Sequence, residues 1–361
     1  MIKKEQNSKL SRAPILLLIL LVIVLFALIY LAIFTFAQSS SDSTSLHAQK
    51  EHSCNATTGN NKSNYILLVC GKDTVSGLTD VILLANLDIA KNSVNIVQIP
   101  RDTFVCYNNT TQKINSIANS KNGIDSLANL LESACGINVD YTLEFTLDAF
   151  SHFIDLIGGV TVNIPNDMNY EDPSQSLTIH FKSGDNLLYG DTAAKFVRFR
   201  SGYVQGDIAR IDAQKIFIAA LAKKITQELS PLKIPAIIGA IIGEIKTNMS
   251  LQESLQLSKA AMNIDISNVK MITLPGKDAR AQVDRGVWYY IVNRPAAYNV
   301  ISKYIISENN PTSIGNFDPH KYFSSAKYSH FEEIYNDTQL NFKKYSAEEI
   351  INNGIDIDLI Q

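Results

Sequence analysis

Three apolar runs, residues 65–70, 81–87 and 94–99, follow one another with only short turns between them. A parallel neighbour is reached through a crossover of roughly a dozen residues or more, so connections this short make the three runs antiparallel neighbours in one sheet. The end of the first, the start of the second and the end of the third then lie at the same edge. Those places carry Asp73, Asp80 and Arg101. Asp is an ordinary turn residue at both of its positions, but two carboxylates held together repel unless a cation or a proton stands between them. Mg2+ suits such a pair, because it binds through one or two protein carboxylates together with substrate phosphate. In Ile99-Pro100-Arg101-Asp102 the proline ends the strand and stiffens the chain, which aims Arg101.

Beyond these runs, residues 124–135 have helical spacing (Ile124, Leu127, Ala128, Leu131), and 146–157 repeat it with Leu147, Phe150, Phe153, Ile154 and Ile157. Gly158-Gly159 stops that helix, and 160–165 reads as another strand. Strands and helices mix without a strict βαβ period. This predicts an α+β fold with a mixed or antiparallel central sheet flanked by helices, rather than a doubly wound sheet. Residues 234–245 are very apolar and interrupted by glycine, too short to cross a membrane, and are expected to form a core helix or the wall of a lipid groove.

Arg198-Phe199-Arg200, followed by Asp207, Arg210 and Gln214, concentrates guanidinium groups in a modestly charged chain. On a helix 207, 210 and 214 share one face, and Ala213, Ile216, Phe217 and Ala220 form an apolar stripe beside it. Arginine forks match phosphate oxygens two at a time, so the cluster suits a diphosphate; pairing with acids on a solvated surface is the alternative.

Residues 15–37 contain no charge and are long enough, at about 1.5 Å per residue, to cross a hydrocarbon core of about 30 Å. Lys3, Lys4, Lys9 and Arg12 precede the run and no basic residue follows until Lys50, which predicts a cytoplasmic N-terminus and an extracytoplasmic remainder. A signal peptide cleaved near Thr35-Phe36-Ala37 is the rival, and the run is longer than such regions usually are. The expected organisation is a cytoplasmic tail (1–14), a transmembrane anchor (15–37), a polar linker (38–63), a folded domain (64–305) and an extension (306–361) of open role. A net charge of −3 gives no support to a nucleic-acid partner. Outside the membrane a disulfide is allowed. Four cysteines permit three pairings, of which Cys106 with Cys135 ranks first, since Cys70 sits in an apolar run.

Eight signposts in order, Gly71-Lys72-Asp73, Thr79-Asp80, Ile99-Pro100-Arg101-Asp102-Thr103, Lys113-Ile114-Asn115, Gly158-Gly159-Val160, Arg198-x-Arg200, Asp207-x-x-Arg210-x-x-x-Gln214 and Leu274-Pro275-Gly276, make residues 64 to about 300 resemble the LytR-CpsA-Psr family of cell-envelope proteins. The resemblance implies a phosphotransferase that moves an anionic glycopolymer, such as teichoic acid or capsule, from a polyprenyl diphosphate carrier in the cell membrane onto peptidoglycan. Hydrolysis of the diphosphate is an implied side reaction. Asp73 and Asp80 would hold Mg2+ against the diphosphate, and Arg101, Arg198, Arg200 and Arg210 would neutralise it. Asp207 and Gln214 would orient the clamp, with Asp73 or Asp102 as base for the incoming hydroxyl. The apolar segments beside the arginines would line a slot for the prenyl tail. Members commonly carry Arg two residues before the second metal-site Asp, where this chain has Leu78; Lys72 or a residue from 280–285 is the expected substitute. A binding protein that retains carrier lipid or wall glycan and regulates indirectly is the second class of function.

Overall fold

The computed structural model describes residues 62–74, 76–172, 177–199, 207–224, 244–250, 265–282, 286–306, 325–340 and 342–355, with isolated positions between these blocks. The run 15–37 lies outside them, as do Cys54, Arg200 and most of 234–245. Among the described residues no helix is long and apolar enough to cross a membrane.

The three apolar runs form β1 (Asn64–Lys72), β2 (Thr79–Asp88) and β3 (Ser93–Gln98). They are antiparallel neighbours, with Leu68 opposite Leu84 and Leu84 opposite Val97. A hairpin, β4 (Phe104–Tyr107) and β5 (Thr110–Lys113), leads through the 3-10 turn Ile114–Asn119 into helix α1 (Ile124–Cys135), which Gly136 ends in the left-handed region at φ 65°. Next come β6 (Tyr141–Thr146) and α2 (Leu147–Leu156). Thr146 caps α2 by accepting from the Ala149 N–H at 3.1 Å, and Gly158 and Gly159 stop it at φ 82° and 79°.

Strands β7 (Val160–Ile164), β8 (Met168–Asp172), β9 (Leu177–Phe181) and β10 (Gly184–Leu188) make two small ladders, β7 with β10 and β8 with β9. Helices α3 (Gly190–Arg198) and α4 (Asp207–Lys223) follow. Then come β11 (Ile245–Thr247), β12 (Val269–Thr273), the hairpin β13 (Gly276–Arg280) and β14 (Trp288–Val292), and α5 (Arg294–Val300). The stretch whose role the sequence leaves open supplies α6 (Phe331–Asn336), β15 (Lys344–Ser346) and α7 (Ala347–Asn353).

The central sheet is mixed, in the order β11-β6-β1-β2-β3-β12-β15, with β6 parallel to β1 and β12 parallel to β3. Alternation along each strand sends two sets of side chains to opposite faces. Leu67, Leu87, Ile96 and Leu143 join a core with Phe153, Phe196 and Phe217 from α2, α3 and α4. Leu68, Leu84 and Val97 join another with Leu127 and Leu131 of α1 and with Ala297 and Val300 of α5. The fold is thus α+β, with helices on both faces of a mixed sheet.

The expected Cys106–Cys135 bridge does not form. Cys135 is a free thiol at the end of α1, packed among the apolar side chains beneath the sheet, and burial pushes its pKa up to about 12. Cys106 belongs to the β4–β5 hairpin and is partly exposed, whereas Cys135 is fully enclosed. Cys70 is also a free buried thiol, as its apolar run suggests.

Close packing of α3 on α2 depends on one glycine. A Cβ at Gly190 would stand 2.3 Å from the Ser151 carbonyl oxygen, while the Gly190 N–H donates to Asp155 Oδ1 at 2.8 Å. Gly190→Ala must therefore separate the two helices. The expected cost is about 1–3 kcal/mol, read as a drop of roughly 2–4 °C in the unfolding midpoint per kcal/mol. An unchanged midpoint would show that the helices do not meet this closely.

Candidate functional site

The edge predicted from strand order is where the charges gather. Pro100 ends β3 and opens a tight turn in which the Thr103 N–H and hydroxyl both donate to the Pro100 carbonyl, at 3.0 and 2.6 Å. That turn carries Arg101 and Asp102. Arg101 Nη1 is ion-paired with Asp80 Oδ1, and Arg101 Nε lies 3.8 Å from Asp102 Oδ1. Lys113 Nζ meets the same Asp102 oxygen at 3.0 Å. The result is a row of alternating sign, Asp80, Arg101, Asp102, Lys113, in which the Arg101 and Asp102 side chains are only 18% and 19% exposed. The backbone fixes the row as well: Ile114 N–H donates to Thr103 O at 2.8 Å, and Asn115 N–H to Arg101 O at 3.2 Å. Two motifs ten residues apart in the chain thus form one unit, although sequence reasoning gave Lys113 no role.

Asp73 closes the β1–β2 loop. Its N–H donates to Leu78 O at 2.9 Å, and its Oδ2 accepts from the Ser76 hydroxyl at 2.7 Å. Lys72 pairs with Thr79 across the two strands, so Asp73 and Asp80 flank that pair at the same edge. Leu78 is half-buried in the loop and engages it through backbone groups. Gly77 has φ 70°, and a Cβ there would approach Asn119 Oδ1 to 2.9 Å, which explains a glycine in so short a connection. Among the described residues no group of three or more His, Cys, Asp or Glu side chains forms a metal cage. Two carboxylates at one edge fit the Mg2+ mode in which substrate phosphate and water supply the remaining ligands.

Helix α4 lies over the same edge from the other face of the sheet. Arg210 and Gln214 are 3% and 5% exposed, and the apolar positions Ala213, Ile216 and Phe217 are buried with them. Arg210 and Gln214 are therefore enclosed, in contrast to the solvated surface that a charged helix usually presents. Gln214 Nε2 donates to Val197 O of α3 at 3.1 Å, and its Oε1 accepts from Gln98 Nε2 at the end of β3. The next residue, Lys215, reaches Thr273 Oγ1 at 2.7 Å. Gln98 and Thr273 are register partners on the adjacent strands β3 and β12, so two successive α4 side chains fasten it to two neighbouring strand ends.

Gln98 lies three residues before Arg101, which ties the arginine helix to the Pro100 turn. Arg198 is exposed at the C-terminus of α3, next to the Val197 carbonyl that Gln214 holds. Arg200 lies outside the described residues, and Asp207 is placed only as the first residue of α4. Sequence reasoning missed Gln98, Lys215 and Thr273, and gave Lys113 a place in a signpost without a role. A polar Gln98 at an inward position of an apolar strand was a usable signal; nothing marked Lys215.

The LytR_cpsA_psr family model matches residues 30–305. The TagU protein of Bacillus cereus, named a polyisoprenyl-teichoic acid–peptidoglycan teichoic acid transferase, is 30% identical over 229 residues, covering 63% of this chain and 72% of its own. The crystal structure of Bacillus subtilis TagV superposes with a TM-score of 0.58 at 23% identity, covering 68% of this chain and 98% of that one. The protein gbs0355 of Streptococcus agalactiae gives 0.62 at 21% identity, covering 73% and 95%.

The alternating row predicts energetic coupling between its members. In a double-mutant cycle, Lys113→Met and Asp102→Asn are expected to be non-additive in unfolding free energy by about 0.5–3 kcal/mol. Strict additivity would dissolve the row into independent surface charges.

Proposed function

This chain belongs to the LytR_cpsA_psr family, and from that premise we propose that it is a phosphotransferase joining an anionic glycopolymer to peptidoglycan at the cell membrane. The donor is a polyprenyl diphosphate-linked glycopolymer and the acceptor a sugar hydroxyl. The observation that carries the reading is the Gln98–Gln214 hydrogen bond, through which the buried Arg210 helix and the Arg101 turn are locked at one sheet edge. Phosphoryl transfer asks a protein mainly for positioning and for charge stabilisation where the leaving oxygen develops its charge. Enclosed guanidinium groups provide that more strongly than solvated ones.

In this reading the acceptor oxygen forms a bond to the phosphorus that carries the glycopolymer, while the bridging P–O bond of the diphosphate breaks and polyprenyl phosphate leaves. The hydroxyl proton passes to a carboxylate at the edge, Asp73 or Asp102. Arg101, Arg198, Arg200 and Arg210 neutralise the departing phosphate, and Asp207 and Gln214 hold the clamp. Asp80 would serve in two ways, since its Oδ1 holds Arg101 in place and its carboxylate would also face the cation. Asp73 and Asp80 would hold Mg2+, which supplies Lewis-acid charge neutralisation. Residues 15–37 would anchor the chain with its N-terminus in the cytoplasm, placing the folded part outside at the height of the carrier headgroup. The named activity of TagU supports the reaction class.

Arg101→Ala and Arg210→Ala are each expected to lower transfer by about 10²–10³-fold, the loss of one preorganised donor to a developing anion. Asp80→Asn and chelation should each suppress transfer, because the amide keeps the shape and loses the charge. Both are read by following labelled glycopolymer from a lipid carrier onto peptidoglycan. Normal turnover of both arginine variants removes the clamp; carrier binding without turnover in the wild type favours a binding protein.

Leu78→Arg is expected to raise transfer, since it adds a guanidinium two residues from Asp80 beside the diphosphate. If Lys72 already fills that place, Lys72→Ala is damaging and Leu78→Arg rescues it. A Leu78→Arg substitution without effect in either background would end the idea of a missing phosphate contact.

A further inference from the structure

Lys215 is a buried lysine, its side chain only 3% exposed, and the mechanism above makes no use of it. Its ammonium lies 2.8 Å from Asp212 Oδ1 one turn back on α4, 2.7 Å from Thr273 Oγ1 at the end of β12, and 5.3 Å from the Tyr345 ring centroid. Taking an ammonium out of water costs several kcal/mol unless partners replace the solvent. Here the partners come from three elements, and one of them is β15. That strand pairs antiparallel with β12, Tyr345 opposite Met271, and lies beyond residue 305 where the family match ends. The adjoining α7 is fixed by a capping box, with Ser346 and Glu349 bonded reciprocally, and it buries Ala347 and Ile350 in the same core as Ala213 and Phe217 of α4.

We propose that Lys215 is a positioning residue for the donor clamp, and that residues 342–355 are a strap that completes it by laying Tyr345 over the Lys215 ammonium. The geometry leaves α4 little freedom. Gln214 and Lys215 point to neighbouring strand ends, so a rotation that releases one releases both. Arg210 stands on the same helix little more than a turn away. Without the ring of Tyr345 the ammonium turns toward water, and α4 turns with it, carrying Arg210 and Gln214 away from the Arg101 turn. A misplacement of about 1 Å is enough to cost on the order of 10²-fold in rate. The inference rests on the transfer reading given above.

Alkaline titration supplies a readout that a purely structural role would not move. Burial lowers the Lys215 pKa, opposed by Asp212, with Lys343 beside β15 adding to the lowering. The ammonium is therefore lost below the ordinary lysine range, and with it the attraction of Asp212 and of the Tyr345 ring face. Transfer should fall as pH rises through that point. Arginine remains charged over the same range, so Lys215→Arg should move the alkaline limb upward.

The test uses the full-length protein with a lipid-linked anionic glycopolymer as donor and peptidoglycan as acceptor. Tyr345→Leu and Lys215→Met are expected to lower kcat about ten-fold with little change in donor KM, whereas Tyr345→Phe, which keeps the ring, holds the wild-type kcat. Lys215→Met keeps the length of the side chain and leaves Asp212 without its partner, so a Lys215→Met protein that melts like the wild type separates positioning from folding. Wild-type kcat in both Tyr345→Leu and Lys215→Met overturns the proposal, as does an alkaline limb unmoved by Lys215→Arg. Should the wild type transfer nothing, the reaction assignment fails on its own. The strap is then judged by amide hydrogen exchange across 207–223: faster exchange in Tyr345→Leu supports it, and unchanged exchange overturns it.

Discussion

A buried helix that carries polar side chains must find a partner for each of them, and α4 organises the molecule around that requirement. Gln214 is satisfied by α3 on one side and by β3 on the other. Lys215 is satisfied by its own helix, by β12 and by β15. An apolar helix could slide over the sheet at small cost, because apolar contacts are not directional. One with hydrogen bonds to strand ends cannot, since each bond left unmade in a dry interior costs about 1–3 kcal/mol. The same bonds that hold the helix therefore set the position of Arg210 relative to Arg101.

A second set of contacts holds the Pro100 turn from below. The Tyr290 N–H donates to the Asp102 carbonyl at 2.8 Å, and the Tyr290 hydroxyl donates to Leu274 O at 2.7 Å. Burial raises the Tyr290 pKa well above the ordinary phenol value, so the hydroxyl stays a donor at any working pH. A Cβ on Gly276 would stand 2.3 Å from the Ile291 carbonyl, which is why the Leu274-Pro275-Gly276 signpost ends in glycine. Asn293, fully buried, spends its amide hydrogens on the Ile334 and Asp337 carbonyls and caps α5 with its oxygen. Motifs far apart in the chain are thus parts of one brace behind Arg101.

What the chain disclosed in advance follows from the range of the physics involved. Strand alternation, helical spacing and glycine stops are local, and they placed β1, β2, β3, α1, α2 and β7 to within a residue or two. Loop length is nearly local, and it put Asp73, Asp80 and Arg101 at one edge. Lys113 was less legible, because its partner Asp102 is reached through a hairpin whose docking no short window reveals. Lys215 was illegible, since two of its partners lie in β12 and β15, and a lysine on a helix ordinarily faces water. Burial of α4 on nearly all sides was hidden for the same reason: its stripe of Ala213, Ile216 and Phe217 reads as one apolar face until α7 covers the next.

The sheet order has a kinetic consequence. Antiparallel β1, β2 and β3 can zip as soon as they are made, but β3 must wait for β12, Val94 pairing with Val269, and β12 in turn for β15. Ladders between such distant segments demand large loop closures and form slowly. Until residue 346 has left the ribosome, the ammonium of Lys215 and one edge of β12 remain wetted, and α4 has no lid. Assembly is therefore ordered from the middle of the sheet outward, and the enzyme-like edge is drawn tight by a strand that arrives after β3 and β12.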